Sequence, residues 1–136
     1  MTRYLLDTNV VSELRKPKPH GAVVAWIQRL RDDQIYISAV TLGELQRGIE
    51  RARKQDGNKA REIEVWLDQV EASNNLLSMD AACFREWARL MEGRSEQLLE
   101  DAMIAATARV HRLKVATRNT SDFALLAVDL FNPFKN

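Results

Sequence analysis

Short apolar runs alternate along this chain with longer segments in which apolar residues recur every three or four positions. The short runs predict buried strands at residues 4–6, 35–37, 76–79, 114–117 and 127–131. The helical spacing predicts helices near residues 8–14, 21–30, 41–54, 63–70, 80–91 and 101–110. Strands that alternate with helices imply an α/β fold, in which helices cover both faces of a parallel sheet.

The composition fits one globular domain over residues 1–136, with 46% hydrophobic and 29% charged residues. Twenty basic and nineteen acidic residues leave a formal net charge of +1, which argues against binding nucleic acid mainly through a large positive field. No apolar run is long enough to cross a bilayer, and the amino terminus lacks the apolar stretch of a secretory signal. We therefore expect a cytoplasmic protein with no membrane partner.

Four acidic side chains are predicted to meet at the carboxyl ends of the strands. Asp7 follows the first strand, and Asp122 follows the fourth across a short turn. Glu44 lies on the helix after the second strand, and Asp101 begins the helix that leads into the fourth. Sites in open α/β sheets form at this edge. Clustered carboxylates repel one another, so the pattern favours a divalent cation such as Mg²⁺, which could activate water and stabilise charge on a phosphoryl oxygen.

Each of these acids, taken alone, also fits an ordinary structural role. Asp7, Asp101 and Asp122 stand where helices are predicted to begin, and acidic side chains stabilise helices there. Thr41 and Glu44 fit the S/T-x-x-E pattern of a capping box. The joint placement of the four acids is what favours a functional site. The chain offers no substitute chemistry, because it lacks a GxxxxGK[ST] phosphate loop and a G-x-S-x-G motif.

Four segments resemble, in order, the motifs of PIN-domain proteins. They are residues 5–14 (LLDTNVVSEL), 41–45 (TLGEL), 101–108 (DAMIAATA) and 117–123 (TRNTSDF). The ending at residues 132–134 (NPF) resembles that of the VapC/FitB-like toxin branch. The resemblance implies a three-layer α/β/α fold with a five-stranded parallel sheet. It also implies a Mg²⁺- or Mn²⁺-dependent ribonuclease that is the toxin of a type II toxin–antitoxin system.

The same resemblance assigns roles to individual residues. The family's catalytic acids fall here on Asp7, Glu44, Asp101 and Asp122. Asp7 and Asp101 are the expected direct metal ligands, and Glu100 is an additional acid beside Asp101. Thr8 and Asn119 resemble the polar residues that orient the acids. The expected partners are an RNA substrate, a VapB-like antitoxin protein, operator DNA bound only through that antitoxin, and a second copy of the chain in a homodimer.

Basic residues follow Glu44 on its helix at spacings of three or four positions, and they include Arg47 and Arg51. Two interpretations stay open for this row. It is either a positive rim that binds RNA phosphates or, more commonly for such a pattern, a solvated helix face interleaved with acids. Arg47 is the better candidate for an RNA contact, because it lies nearest to Glu44.

Several large or reactive side chains are expected to be structural. Cys83 is the single cysteine, which excludes an internal disulfide and a cysteine-based zinc site, and its apolar neighbours predict a buried thiol. Aromatic residues at helical spacing with aliphatic ones are interpreted as core or dimer-interface residues rather than base-stacking platforms. These residues are Trp26, Trp66, Phe84 and Trp87.

Other classes of function stay open at this point. A receiver-like phosphoacceptor domain would need paired acids after the first strand, where Asp7 has no partner, and Asp80 after the third strand is a poor phosphoacceptor match. A non-catalytic PIN-fold partner in an operator-binding complex would have no need of all four acids. Within the nuclease class, DNA or structured RNA is an alternative substrate.

Overall fold

The computed structural model describes residues 1–135 as a five-stranded parallel sheet flanked by helices. The strands are β1 (Tyr4–Leu6), β2 (Ile35–Ser38), β3 (Asn75–Leu77), β4 (Lys114–Ala116) and β5 (Leu130–Phe131). The helices are α1 (Thr8–Glu13), α2 (Gly21–Gln28), α3 (Ala39–Arg53), α4 (Gly57–Ser73), α5 (Ala81–Met91), α6 (Leu99–His111) and α7 (Thr120–Phe123). The strand order is β3-β2-β1-β4-β5. The predicted α/β class with five parallel strands is confirmed.

The sheet is the middle of three layers because successive strand residues face opposite sides. Leu5 points to one face and packs in a buried cluster with Ile104 of α6. Leu6 points to the other face and packs with Val10 of α1 and Trp26 of α2. Leu5 and Leu6 are therefore both buried, on opposite faces of the sheet, which explains why β1 is a continuous apolar run in the sequence.

The central strand β1 lies where the direction of the chain's connections reverses. From β1 the chain moves to β2 and β3 on one side, and β4 and β5 complete the other side. Leu6 is in register with Ile37 of β2 and Ala116 of β4. Asp7 and Thr117, the residues that follow β1 and β4, therefore emerge side by side at the carboxyl edge. Such a reversal opens a crevice that commonly holds a ligand.

Some predicted boundaries are wrong, for local reasons. The helix predicted near residues 63–70 begins earlier, at Gly57, because Asp56 Oδ1 accepts a hydrogen bond from the backbone N–H of Lys59 at 3.1 Å and caps α4. Strand β3 starts one residue earlier than predicted and ends at Leu77. Strand β5 has two residues rather than five, because the chain first passes through Ala127 in a left-handed conformation, with φ 51°.

The expected structural side chains are mostly in the core. Cys83 and Trp26 are buried, as predicted, while Trp66 and Trp87 are partly buried against two apolar clusters. Phe84 is 47% exposed, so its interpretation as a core residue is wrong, and a role in a dimer interface stays a prediction. Across residues 1–135, no helix combines the length and apolar character needed to cross a membrane.

Candidate active site

Asp7 stands directly after β1, at the N-cap of α1, and only 5% of its surface is exposed. Its Oδ1 accepts a hydrogen bond from the backbone N–H of Thr8 at 2.8 Å. Its Oδ2 accepts from Thr117 Oγ1 at 2.8 Å and from Asn9 Nδ2 at 3.1 Å. Burial raises the pKa of Asp7 even though Thr117 and Thr8 donate to it. Asp7 thus caps α1, and it also places at the sheet edge a carboxylate whose ionised form is disfavoured by burial.

Glu44 lies on α3 and faces the start of α1. Its Oε1 accepts a hydrogen bond from Thr8 Oγ1 at 2.7 Å, and Thr8 Oγ1 lies 3.0 Å from Thr41 Oγ1. The capping-box interpretation of Thr41 and Glu44 is wrong, because α3 begins at residue 39. Its N-cap is Ser38, whose Oγ accepts from the backbone N–H of Val40 at 3.1 Å. Glu44 is therefore directed to the site and not to its own helix terminus.

Asp101 lies in the first turn of α6, partly buried at the same edge of the sheet. Its pKa is raised to about 7, first by burial and then by the charges of nearby carboxylates. In order of influence these are Asp7, Asp122, Glu44 and Glu100. The helix N-terminus favours a negative charge at this position, yet the surrounding acids outweigh that preference. The charges of the other three predicted acids thus all act on Asp101.

Asp122 is exposed in the first turn of α7 and completes the acidic cluster, which comprises Asp7, Glu44, Asp101 and Asp122. Its Oδ2 accepts a hydrogen bond from Asn119 Nδ2 at 2.9 Å. The backbone N–H of Asn119 in turn donates to Thr117 Oγ1 at 2.9 Å. Asn119 therefore binds Asp122 through its side chain and is linked through its backbone to Thr117, which binds Asp7. Its predicted orienting role, like that of Thr8, fits these contacts.

The sequence interpretation missed three polar residues that build this site, namely Asn9, Thr41 and Thr117. Thr41 and Thr117 are fully buried, so their hydroxyls must find partners inside the protein. Thr117 donates to Asp7 and accepts from Asn119, and Thr41 supports Thr8. A usable signal existed for Thr117, because it directly follows β4 at the edge where sites form.

The donors in the acidic cluster are carboxylate and hydroxyl oxygens, the ligand types that hard divalent cations prefer. Within residues 1–135, however, no three His, Cys, Asp or Glu side chains have the geometry of an assembled metal site. The raised pKa values of Asp7, Glu44 and Asp101 show that negative charge is disfavoured there, first of all by burial. A cation would offset that effect, and the chemistry of these oxygen donors fits one.

The two predicted RNA-contacting residues lie on the exposed side of α3. Arg47 Nη1 is 3.8 Å from Glu100 Oε1, and the Arg47 side chain is 67% exposed. Arg51 is also exposed. Their neighbour Arg53 is neutralised by Glu64 at 3.0 Å, as expected of a solvated helix face. Both interpretations of this row therefore stay open, and an RNA contact by Arg47 or Arg51 stays a prediction.

A sizeable cavity lies away from this chemistry. It measures about 710 Å³ and opens at the opposite, amino-terminal edge of the sheet, beside Arg3, Arg109 and Lys114. Arg109 is already bound there, because its Nε donates to Glu86 Oε2 at 2.6 Å and its Nη1 donates to the Ala127 carbonyl. We assign the candidate site to the acidic cluster, because clustered groups with perturbed pKa values indicate chemistry better than cavity volume does.

The match to known proteins covers nearly the whole chain. A family model described as PIN domain matches residues 4–128. The chain belongs to the PIN-domain family. This PIN domain is 36% identical to Toxin FitB of Neisseria gonorrhoeae over 137 residues, covering 96% of this chain and 97% of FitB. It is also 36% identical to VapC ribonuclease Y4jK of Sinorhizobium fredii over 141 residues, with the same two coverages.

A solved relative has the same architecture. The crystal structure of FitAcB from Neisseria gonorrhoeae matches this PIN domain with a TM-score of 0.85 and 35% identity, covering 98% of this chain and 99% of that one. Family membership removes the support for a receiver-like domain. Asp80, the phosphoacceptor candidate in that alternative, instead accepts a hydrogen bond from the backbone N–H of Cys83 at 3.0 Å and caps α5.

Proposed function

We propose that this PIN domain is a divalent-metal-dependent endoribonuclease that hydrolyses RNA phosphodiester bonds and acts as the toxin of a toxin–antitoxin pair. The observation that carries this proposal is Asp101, whose pKa rises to about 7 because burial and four other carboxylates disfavour its charge. The names of the relatives support the same activity, since one is a VapC ribonuclease and another is the toxin FitB.

The side chains of the cluster would divide the work. Asp7 and Asp101 would hold the cation, Mg²⁺ or Mn²⁺, because the resemblance to PIN-domain proteins places the direct metal ligands at these two positions. When bound, such an ion would supply positive charge that activates water and stabilises charge on a phosphoryl oxygen. Glu44 and Asp122 would complete the pocket and accept protons from water. Thr8 and Asn119 would hold these two acids in place through the hydrogen bonds described above.

The proposed partners follow from complexes formed by relatives. One solved structure is FitAcB, and another is FitAB bound to a DNA fragment, which matches this PIN domain with a TM-score of 0.84 and 33% identity. We infer by analogy that a VapB-like antitoxin neutralises this chain and that operator DNA binds only through the antitoxin. The chain itself would form a homodimer. Size-exclusion chromatography with light scattering would test the dimer.

The activity is tested by incubating the purified chain with a mixed RNA pool in EDTA, and then with Mg²⁺ or Mn²⁺ in excess. We expect cleavage only when the cation is present. Asp101→Asn should lower the rate by about a thousandfold or more, because it removes a charged ligand while keeping the side-chain volume. The matched control is Asp129→Asn, an exposed acid at the opposite edge of the sheet, which should cleave at the wild-type rate.

Other outcomes would contradict the proposal in distinguishable ways. Full activity in EDTA would reject the metal requirement, and cleavage of DNA in preference to RNA would reject the substrate class. A chain that binds a VapB-like antitoxin and operator DNA but cleaves no nucleic acid would support the non-catalytic alternative. Equal rates for Asp101→Asn and wild type, with contamination excluded, would remove Asp101 from the site.

A further inference from the structure

Next to the acidic cluster, the backbone carries a basic residue to which the resemblance assigns no role. Arg118 follows Thr117 directly, and its guanidinium carbon lies 3.7 Å from the ring centroid of Phe134. We propose that Arg118, stacked on Phe134, binds a phosphate of the RNA strand next to the bond to be cleaved and so positions the substrate. The inference rests on the proposed ribonuclease function and names a substrate-positioning residue for it.

The backbone of Arg118 is linked to the acidic cluster by hydrogen bonds. Its N–H donates to Asn9 Oδ1 at 3.2 Å, and Asn9 Nδ2 donates to Asp7 Oδ2 at 3.1 Å. The preceding residue, Thr117, donates to the same oxygen of Asp7 at 2.8 Å. Two separate hydrogen-bond routes thus join the Arg118 backbone to Asp7. The backbone of Arg118 is therefore fixed next to Asp7, and its side chain extends from there to the ring of Phe134.

The side chain of Arg118 is oriented by an aromatic ring that is itself held in place. The backbone N–H of Phe134 donates to Asn132 Oδ1 at 2.9 Å, and its ring packs against the buried cluster around Leu6. The ring of His20 meets Phe134 in a T-shaped arrangement, with centroids 5.4 Å apart. A guanidinium over an aromatic face is stabilised by cation–π attraction, while its N–H groups stay free at the edges. The stack thus presents donors in a fixed plane.

Arg118 forms no ion pair in the described part of the chain. Among residues 1–135, no carboxylate oxygen lies within 4.0 Å of its side-chain nitrogens. The pKa of Glu13 is lowered first by its hydrogen bond from Lys16 Nζ at 2.9 Å, and the charge of Arg118 is the last of the contributing causes. By contrast, Arg47 stands 3.8 Å from Glu100. Arg118 is thus better prepared than Arg47 for a phosphate.

A phosphate is the ligand that this arrangement suits. An acidic pocket repels an RNA strand, so the strand needs cations close to the cluster to hold it. Arginine presents a planar fork that matches two phosphate oxygens, and phosphate contacts fix the register of a bound strand. Lysine would supply the charge but not the stacked plane. The carboxyl-terminal segment that carries Phe134 thus gains a role in substrate binding as well as in packing.

The test measures binding separately from cleavage. A fluorescent single-stranded RNA is titrated with protein in EDTA, with its integrity checked on a gel, at several salt concentrations. Arg118→Ala should weaken binding by about tenfold and lower the slope of log affinity against log salt by about one, as expected for the loss of one phosphate contact. With the metal added, its KM should rise by a similar factor and its kcat should change by less than about twofold.

Three further variants separate stacking from charge. Arg118→Lys keeps the charge and should weaken binding by about threefold, because the planar contact is lost. Phe134→Leu keeps an apolar side chain and should cause a similar loss that is not additive with Arg118→Ala. Arg29→Ala is the control, since Arg29 is an exposed arginine at the end of α2, far from the carboxyl edge. It should bind RNA as wild type does.

The failures of the two proposals are distinguishable. Wild-type RNA affinity, salt slope and KM in a folded Arg118→Ala protein would overturn this inference while leaving metal-dependent cleavage intact. The same loss of affinity in Arg29→Ala would also overturn it, because the effect would then be general charge. RNA binding that depends on Arg118 but is never followed by cleavage would keep the inference and reject the ribonuclease. A wild-type chain that binds no RNA would reject both.

Discussion

The two ends of α1 each carry a buried carboxylate, and the two are stabilised in opposite ways. Asp7 and Glu13 are both 5% exposed. Glu13 Oε1 accepts a hydrogen bond from Lys16 Nζ at 2.9 Å and Oε2 accepts from the backbone N–H of His20 at 3.0 Å, and these contacts hold its pKa below the usual value. Asp7 accepts three hydrogen bonds from neutral donors, yet its pKa lies above the usual value.

The difference shows what neutral hydrogen bonds can and cannot do for a buried charge. Removing a carboxylate from water disfavours its ionised form, and an opposite charge nearby restores that form more effectively than hydroxyl and amide donors do. Glu13 receives its opposite charge from within the chain. Among residues 1–135, Asp7 has no positively charged partner, and three more acids converge near it. A buried acid that the chain leaves without a cation is the one expected to take a cation from solution.

The largest expected effect is on catalysis, at the Asp7 end of α1. Asp7→Asn keeps the size of the side chain and an acceptor for the Thr8 N–H, so α1 should still form. The loss of charge should lower RNA cleavage by about a thousandfold or more, because a metal ligand is lost. Cleavage rate and melting temperature measured on one preparation check this. An active variant, or one that is inactive because it does not fold, would contradict the comparison.

The matched change at the other end of α1 should affect stability instead. Glu13→Gln removes the charge that binds Lys16, so the melting temperature should fall by several degrees at neutral pH. The folded fraction should cleave RNA within about twofold of the wild-type rate.

The effect of Glu13 should also depend on pH. Because the pKa of Glu13 is lowered in the fold, its contribution to the free energy of unfolding is present above the pKa of the unfolded chain and is lost in acid. Thermal melts should therefore show the gap closing as the pH falls. An unchanged melting temperature at neutral pH would contradict this account of Glu13.

The acidic cluster should give the protein an unusual dependence of stability on pH. Asp101 has a pKa of about 7 in the fold, above the value of 3.8 for an unperturbed Asp, so the folded state binds more protons than the unfolded state between those values. The free energy of unfolding should therefore fall as the pH rises through that range. Thermal melts in EDTA should show a melting temperature several degrees lower at about pH 8 than at about pH 5.

Two controls assign that pH dependence to the cluster. Asp101→Asn should flatten the curve, because the group that takes up the proton is gone. Excess Mg²⁺ should raise the melting temperature mainly at the higher pH, where the carboxylates are ionised and able to bind it. Stability that instead rises between about pH 5 and about pH 8 in EDTA would show that the charges in this cluster do not repel as the geometry indicates.

The fold was largely predictable because the strand cores are locally encoded. Consecutive residues in the runs Leu5–Leu6 and Val115–Ala116 are apolar, although they point to opposite faces of the sheet. This pattern is typical of a sheet that is covered by helices on both faces. Element boundaries were less predictable, because they depend on which of two polar residues within the same turn caps a helix. Ser38 and Thr41 both fit the start of α3, and only the structure shows that Thr41 is buried against Thr8.

The convergence of the four acids was predictable from the sequence, but the hydrogen-bond network around them was not. Asp7 follows β1 directly and Asp122 follows β4 across a short turn, so the edge rule and the resemblance to PIN domains both identify them. Thr117, Asn9 and Arg118 act across the sheet edge, through contacts more than one hundred positions apart in the chain. Such contacts leave no periodic signal in one sequence. They follow from strand order, which places β4 next to β1.

The smallest expected effect tests whether hydroxyl groups orient the acids as the contacts indicate. Thr8 Oγ1 donates to Glu44 Oε1 at 2.7 Å, so Thr8→Val removes this donor while keeping the shape of the side chain. Cleavage should fall by about tenfold, as expected for the loss of one hydrogen bond to a charged group. Thr8→Ser keeps the hydroxyl and should cleave within about twofold of wild type. If Val and Ser at this position behave alike, the hydroxyl does not orient Glu44, and the acid is held by α3 alone.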